Sequence, residues 1–356
     1  MTQPKSVPRD GTIDSFRAIA ILSVIGFHYL TRFSPPFFPV NLYGYDGAMP
    51  TVFEVGRLGV EVFFVISGYI IAMTIGRFDN SFDFVARRIA RLFPAFLVGC
   101  TITFLCVTAF GPDERRVGLA DFVANLTMVP TDLGFDPVDG AYWSLAVELK
   151  FYFYIALTYL LLRSRYWLGI LAICLLGVVT MLTVHKGATA VLLAQFMPYF
   201  VIGIALWKLK SGHRAEALLC LAVAAISFVA IDCLKIEQGQ YQIVGFAYLT
   251  VVLGALYALV LGGINITFAP LLFIGRISYS LYIVHQNLGL ILIRWLSGIG
   301  LPHPLAATIA LALGCALAYL MFRYVEGPGQ VLVLRLYENL KSRILPAQAR
   351  RPAASS

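Results

Sequence analysis

Arg17 and His28 are two ionisable residues within one apolar stretch of the sequence, residues 12–33. On an α-helix, eleven residues make three turns plus about 20°, so both side chains share a face and lie about 16 Å apart along the axis. Asp14 lies one turn before Arg17 on nearly the same face. An ionisable group in a bilayer costs about 2.5–3.5 kcal/mol, so such residues usually have a function. The residue types and their spacing predict that Arg17 binds an anion and that His28 takes up or releases a proton.

A second group of cations lies in the segment ARRIARLFP, residues 86–94. Arg87 and Arg91 are four residues apart, which places them on the same face of a helix, and Arg88 is next to them. The guanidinium fork matches the oxygens of a phosphate group. We therefore expect these arginines to hold a polyphosphate beside Arg17, with contact to anionic lipids as the alternative.

Further polar residues interrupt apolar segments. Glu148, in YWSLAVE, lies about five residues into a predicted span, at the depth expected for His28. A buried carboxylate at that depth would orient an imidazole, so we predict that Glu148 positions His28. Ser67, beside a glycine in VFFVISGYII, fits a ligand path between helices, and Tyr279 and His285 lie along one side of another span, in ISYSLYIVH.

The composition is that of a membrane protein. Hydrophobic residues make up 59% of the 356 residues, charged residues make up 13%, and the mean hydropathy is +0.81. Soluble domains carry about 25% charged residues. Apolar segments long enough to span a bilayer are found at 13–32, 59–76, 92–110, 144–162, 166–184, 190–207, 215–232, 243–262, 277–296 and 306–325. The sequence therefore predicts an all-α, polytopic membrane protein with about ten transmembrane helices.

The distribution of Lys and Arg predicts how these helices are oriented. An even number of spans places both termini on the same side of the membrane, and basic residues favour the cytoplasmic side. With a cytoplasmic N-terminus, 19 basic residues lie on the cytoplasmic side, 7 lie on the far side, and Lys150 lies within a span. We therefore expect cytoplasmic tails at 1–12 and 329–356 and a membrane-integral domain at 13–328.

Two kinds of partner are not indicated. The net charge of +8 is accounted for by topology and by contact with membrane lipids, so it does not point to nucleic acid. The six cysteines do not have metal-ligand spacing with any histidine, so no metal site is expected.

Five motifs together resemble a known family. FRAIAILSVIGFH is similar to the arginine, ten residues, histidine motif of acyltransferase family 3, the membrane-integral O-acyltransferases of bacterial surface glycans. VFFVISGYII, RRIARLFP, YWSLAVE and ISYSLYIVH resemble the other landmarks of the family, in the same order. The resemblance covers residues 13–328. The sequence departs from the family pattern at Glu61, where aspartate is more usual, at Leu149-Lys150, and at Gly327, where an arginine is usual.

The resemblance implies an enzyme of the bacterial inner membrane that transfers an acyl group, usually acetyl, from cytoplasmic acyl-CoA to a hydroxyl on the outer side. The expected acceptor is an extracytoplasmic or lipid-linked glycan. His28 acts as a general base or carries the acyl group as a nucleophile. We expect catalysis by His28, Glu148 and Asp14, and acetyl-CoA binding by Arg17, Arg87, Arg88, Arg91, Ser67, Tyr279 and His285.

Two other functions use the same residues differently. In a proton-coupled exporter of a glycan or small molecule, the histidine, glutamate and arginine would form a proton relay within the membrane. The arginine triplet at a predicted membrane surface speaks against it. A non-catalytic partner in polysaccharide synthesis would keep the fold without the chemistry, but it leaves Arg17, His28 and Glu148 without a role.

Overall fold

The computed structural model describes residues 10–33, 51–183, 190–235 and 241–344, and the regular elements in these ranges are all helices. The α-helices, numbered here in chain order, are α1 Gly11–Phe27, α2 Gly59–Thr74, α3 Ser81–Phe110, α4 Leu119–Asn125, α5 Trp143–Leu162, α6 Tyr166–Thr183, α7 Met197–Lys210, α8 Arg214–Lys235, α9 Tyr241–Leu261, α10 Ala269–Gly298, α11 His303–Met321 and α12 Gly327–Ile344. Each of the ten predicted spans falls on one of these helices, with α4 and α12 additional. The prediction of an all-α fold is confirmed.

Six helical stretches among the described residues are long and apolar enough to cross a membrane. One of them, Gly140–Thr183, contains both α5 and α6, and another, His303–Arg343, contains α11 and most of α12. The chain is thus a multi-pass helical protein. The number of ten crossings and the cytoplasmic position of the termini stay predictions.

The helices form a bundle with two distinct ends. At the end that we call the arginine end, the start of α1 contacts the loop before α10, where Thr12 Oγ1 donates to the Ile264 carbonyl, and Asp10 lies 3.8 Å from Lys210 at the end of α7. At the opposite end, called the histidine end, His303 Nε2 donates to the carbonyl of Tyr29 at 2.9 Å. α1 therefore runs from the arginine end to the histidine end.

Small residues let the helices that surround the site approach closely. α2 packs against α7, and a Cβ added to Gly68 would lie 2.1 Å from the carbonyl oxygen of Phe200. From the other side, a Cβ on Gly203 would lie 2.0 Å from the carbonyl oxygen of Val65. Only glycine fits at these two positions, so α2 and α7 approach each other closely beside Ser67.

The long helix α10 occupies the middle of the bundle and contacts α1, α3 and α11. α1 continues into a π-helical turn, His28–Arg32, at the histidine end. Such turns insert one residue into the helical register and are frequent at functional sites. At the arginine end, α12 packs on the start of α3, where Lys341 and Tyr337 both bind Asp83. Residues 329–344 of the predicted C-terminal tail are therefore helical.

Candidate active site

A cavity of about 70 Å³ lies inside the bundle, between α1, α2, α3, α5 and α10. About 10–15 Å³ holds one water molecule, so the cavity is large enough for several waters or for a small acyl group. Most of its wall on the α2 side is apolar. The polar residues that line it are Arg17, Ser67, Arg88, Arg91, Ser144, Glu148, Tyr152, Ser278, Tyr279 and Tyr282. All five helices contribute polar groups that the hydropathy pattern does not require.

The structure brings together three of the four arginines that the sequence grouped. Arg17 of α1 lines the cavity with Arg88 and Arg91 of α3. Arg87 is exposed outside the cavity, with its guanidinium 5.8 Å from the centre of the Phe78 ring. Arg88 lies on the buried face of α3 and Arg87 does not. Arg88 is only 8% exposed and follows the fully buried Phe84 by one turn.

Several N–H donors of these guanidinium groups have no hydrogen-bond partner in the described part of the chain. Arg88 Nη2 donates to Thr74 Oγ1 at 3.0 Å, while Arg88 Nε is buried without a partner. Among the residues that the structure describes, neither Arg17 nor Arg91 makes a hydrogen bond or a salt bridge. The negative charges of Glu148 and Glu326 act on both of them electrostatically. A site of this kind, with several forked cations converging on a cavity, is suited to phosphate oxygens.

Glu148 lies in the cavity and is held there by two hydroxyl groups. Its Oε1 accepts hydrogen bonds from Ser67 Oγ, at 2.9 Å, and from the hydroxyl of Tyr152. Ser67 and Tyr152, the two hydrogen-bond partners of Glu148 in the described part of the chain, both line the cavity. His28 is not among these partners. Sequence reasoning missed Tyr152, although its spacing of four residues from Glu148 places both on one face of α5.

His28 instead pairs with His285 of α10. Nδ1 of His28 and Nε2 of His285 lie 2.8 Å apart, and Nδ1 of His285 lies 2.8 Å from the carbonyl oxygen of Tyr282. A carbonyl only accepts, so His285 donates from Nδ1, and in its neutral form it accepts at Nε2. His28 then donates from Nδ1, which leaves its Nε2 unprotonated. The pair can therefore present a base.

Tyr282 connects the two parts of the site. It lines the cavity, and the centre of its ring lies 5.4 Å from that of His285. Its hydroxyl is 2.6 Å from Ser144 Oγ. Tyr279, one turn before it, also lines the cavity and donates to the Leu92 carbonyl at 2.7 Å. Ser67 and Tyr279 are thus placed in the cavity, whereas His285 lies beyond it, next to His28.

Asp14 lies with the arginines. It is buried in the first turn of α1, and its charge acts on Arg17. A Cβ added to Gly275 of α10 would lie 2.0 Å from the Asp14 carbonyl oxygen, so the two helices touch at this point. The fourteen residues from Asp14 to His28 rise about 21 Å along a helix, so the structure does not bring Asp14 to the histidine pair.

Asp139 fixes the loop before α5 to the histidine end and was missed by the sequence reasoning. Its carboxylate accepts from the backbone N–H of Ala141 at 2.8 Å and from that of Asn287 at 3.0 Å. Burial raises the pKa of the Asp139 carboxyl to about 6. Asn287 follows His285 by two residues, so this contact holds the loop beside the histidine pair.

The chain is similar to several proteins that are named as O-acetyltransferases. The chain is 24% identical over 374 residues to "O-acetyltransferase OatA" of Staphylococcus aureus, covering 92% of this chain and 58% of that protein. It is 26% identical over 364 residues to "Putative peptidoglycan O-acetyltransferase YrhL" of Bacillus subtilis, covering 89% and 54%. It is 35% identical over 156 residues to "O-acetyl transferase" of Shigella phage Sf6, covering 40% and 44%.

The chain spans little more than half the length of the two bacterial relatives. No solved structure matches it. A family profile described as "Acyltransferase domain" matches residues 10–323, which contain the cavity, its arginines and both histidines. The chain therefore belongs to acyltransferase family 3.

Proposed function

We propose that this protein transfers an acyl group, in the first instance acetyl, from acyl-CoA to a hydroxyl group of a glycan. The observation that carries the proposal is the alignment of two chemically different sites along α1. A cavity with unpaired guanidinium donors at Arg17 and Arg91 lies toward one end, and a histidine pair with a free ring nitrogen lies toward the other. Membership of an acyltransferase family and the names of the relatives support the same chemistry.

The arginine end is proposed to hold the donor. The diphosphate of CoA is a doubly charged group that matches the guanidinium groups of Arg17, Arg88 and Arg91. The distance of about 16 Å from Arg17 to His28 along the helix is comparable to the reach of a pantetheine arm. The arm would pass Ser67 and Tyr279 and bring the thioester past Tyr282. The narrow cavity must widen for this.

The reaction proposed at His28 is direct transfer with general-base catalysis. The acceptor oxygen attacks the thioester carbonyl carbon while His28 Nε2 takes the hydroxyl proton. The C–S bond then breaks, the acyl group stays on the acceptor as an ester, and the proton passes from His28 to the departing CoA thiolate. His285 supports this by accepting from His28 Nδ1, which holds the ring in one tautomer. Transient acylation of the same nitrogen is the alternative.

Donor and acceptor are proposed to enter from opposite sides of the bacterial inner membrane. The basic residues favour a cytoplasmic arginine end, where acyl-CoA is found. The histidine end would then face outward, toward an extracytoplasmic or lipid-linked glycan. The bacterial relative YrhL is named for peptidoglycan, so peptidoglycan fragments are the first acceptor to test.

The test is acyl transfer by the purified protein in detergent. Labelled acetyl-CoA is supplied with muropeptides, and esterified product is separated and counted. Transfer that depends on protein and on His28 supports the proposal. Acetyl-CoA that is neither bound nor consumed would point to the exporter instead, since a transporter has no need of the donor.

A further inference from the structure

A second pair of arginines converges at the histidine end. Arg32 ends the π-helical turn of α1, and Arg115 ends a short 3₁₀ turn, Asp113–Arg115, in the loop after α3. Their guanidinium carbons lie 5.6 Å and 5.3 Å from the centre of the same ring, that of the buried Phe33. Two segments that are far apart in sequence thus bring their positive charges to one point.

This point adjoins the histidine pair. The charges of Arg32 and Arg115 both act electrostatically on His28. A Cβ added to Gly140 would lie 3.5 Å from Arg115 Nη2 and 3.0 Å from the side-chain nitrogen of Gln286, the residue after His285. The Arg115 fork therefore reaches the rim of the proposed reaction site.

The two arginines of this loop differ in their partners. Arg116 forms a 2.8 Å salt bridge with Asp113, whereas Arg115 makes no hydrogen bond or salt bridge within the part of the chain that the structure describes. The charge of Arg115 also acts unfavourably on Arg32. The loop thus holds Arg115 against another cation while its fork of five N–H donors stays available. A phosphate or carboxylate is the group that such a fork binds most strongly.

We propose that Arg115, with the positive charge of Arg32 beside it, binds an anionic group of the acceptor, a phosphate or a carboxylate near the hydroxyl that receives the acyl group. This inference rests on the proposed function, because it assigns the acceptor to the histidine end. The CoA phosphates do not fit this role, since Arg17, which we place at the donor, lies fifteen residues or about 22 Å before Arg32 along the helix. The site selects acceptors that carry a negative charge and turns their hydroxyl toward His28.

Binding is tested first, without acyl transfer. Equilibrium dialysis of the purified protein against glucose 1-phosphate, glucuronate and methyl glucoside compares a phosphate, a carboxylate and a neutral sugar. One or both anions should bind more tightly than methyl glucoside. Arg115→Gln should weaken anion binding about tenfold, as expected for one charge-assisted hydrogen bond. Arg115→Lys should restore part of it, and Arg116→Gln is the matched control that should change nothing.

Two results would overturn the site. One is equal binding of the three sugars by the wild type and Arg115→Gln. The other is Arg115-dependent binding of phosphatidylglycerol in mixed micelles with no binding of either sugar anion, which would make this a lipid headgroup site. Because none of these measurements uses acetyl-CoA, they remain informative even if the protein proves unable to consume that donor.

The kinetic test links the site to the reaction. For a matched pair of acceptors, one anionic and one neutral, Arg115→Gln should raise KM about tenfold for the anionic acceptor and leave KM for the neutral acceptor and for acetyl-CoA unchanged. A uniform fall in kcat with both acceptors would contradict acceptor recognition, because it would indicate a general disturbance of His28.

Discussion

Nδ1 of His28 donates a hydrogen bond to Nε2 of His285, 2.8 Å away and 257 positions later in the sequence, when both rings are neutral. The Tyr282 carbonyl determines this direction, because it accepts from the other nitrogen of His285. The hydroxyl of Tyr29 also donates to the His285 carbonyl at 2.8 Å. α1 and α10 are thus joined at the residue that we propose as the base.

The first prediction concerns the roles of the two histidines. His28→Ala should lower acetyl transfer at least about a hundredfold, because a positioned base contributes about 10²–10⁴-fold. Acetyl-CoA binding should stay within about twofold, since the donor cavity is intact. His285→Ala should lower kcat less, because it removes the orientation of the base but keeps the base itself. Radiolabel transfer measures the acetyl transfer, and dialysis measures the acetyl-CoA binding.

The control for both histidine variants is His213→Ala, in an exposed turn. More than a tenth of wild-type transfer in His28→Ala would contradict the assignment of His28 as the base.

The second prediction uses the division among the α3 arginines. Arg91→Gln should weaken acetyl-CoA binding about tenfold or more, as expected for the loss of charge-assisted hydrogen bonds to phosphate. Arg87→Gln should leave it unchanged, because Arg87 lies outside the cavity. Arg91→Lys should recover part of the affinity, since a point charge lacks the fork. If dialysis shows that Arg87→Gln and Arg91→Gln change the acetyl-CoA affinity equally, the arginines are better assigned to contact with lipids.

The third prediction is a dependence of stability on pH. Burial raises the pKa of Asp139 from 3.8 to about 6, so the folded protein holds this proton more tightly than the unfolded chain does. The resulting stabilisation is complete below about pH 4 and is lost as the pH rises through about 6. It should amount to about 1–3 kcal/mol.

This dependence is measured as the difference in Tm between the wild type and Asp139→Asn in detergent. The difference should shift in favour of the wild type on going from pH 7 to pH 5. Asp136→Asn, on the exposed surface of the same loop, should show no such shift. A pH-independent difference for Asp139→Asn would mean that this carboxyl does not titrate in the range.

The fourth prediction concerns sidedness. In sealed inside-out vesicles, acetyl-CoA added outside should be consumed only when acceptor is trapped inside. A cysteine at Asp136, near the histidine end, should react with impermeant thiol reagents from the periplasm, and one at Ser211, near the arginine end, only from the cytoplasm. Equal modification of acceptor added on the same side as acetyl-CoA would exclude transfer through the membrane.

Much of the fold follows from hydropathy alone, because each span must bury apolar side chains and satisfy its backbone internally. The common face of Arg17 and His28 also follows from helical spacing, and the structure places Arg17 in the cavity and His28 against His285 of α10. Helical spacing grouped Arg87 with Arg88 and Arg91, whereas the structure leaves Arg87 outside the cavity. Only the packing of Phe84 and Leu92 shows which side of α3 is buried.

The contacts between distant segments could not be predicted in this way. Periodicity describes one helix at a time, whereas the partner of His28 depends on how α1 and α10 are aligned. The same limit applies to Arg115, because a loop arginine carries no periodic signal and only its approach to Phe33 reveals its position. The sequence therefore supplied the chemistry of the groups, and tertiary packing decided their partners.

The contact of Gly68 with Gly203 bears on how the bundle opens. At these two glycines the backbones of α2 and α7 touch, so no side chain at this point could change rotamer and create space. These two helices are therefore expected to move as a rigid body. The wall formed by α5 is held to α2 at the cavity by the hydrogen bond from Ser67 to Glu148, which can break and re-form. Entry of a pantetheine arm should accordingly displace α5 and leave the α2–α7 pair in place, so this hydrogen bond would act as a latch.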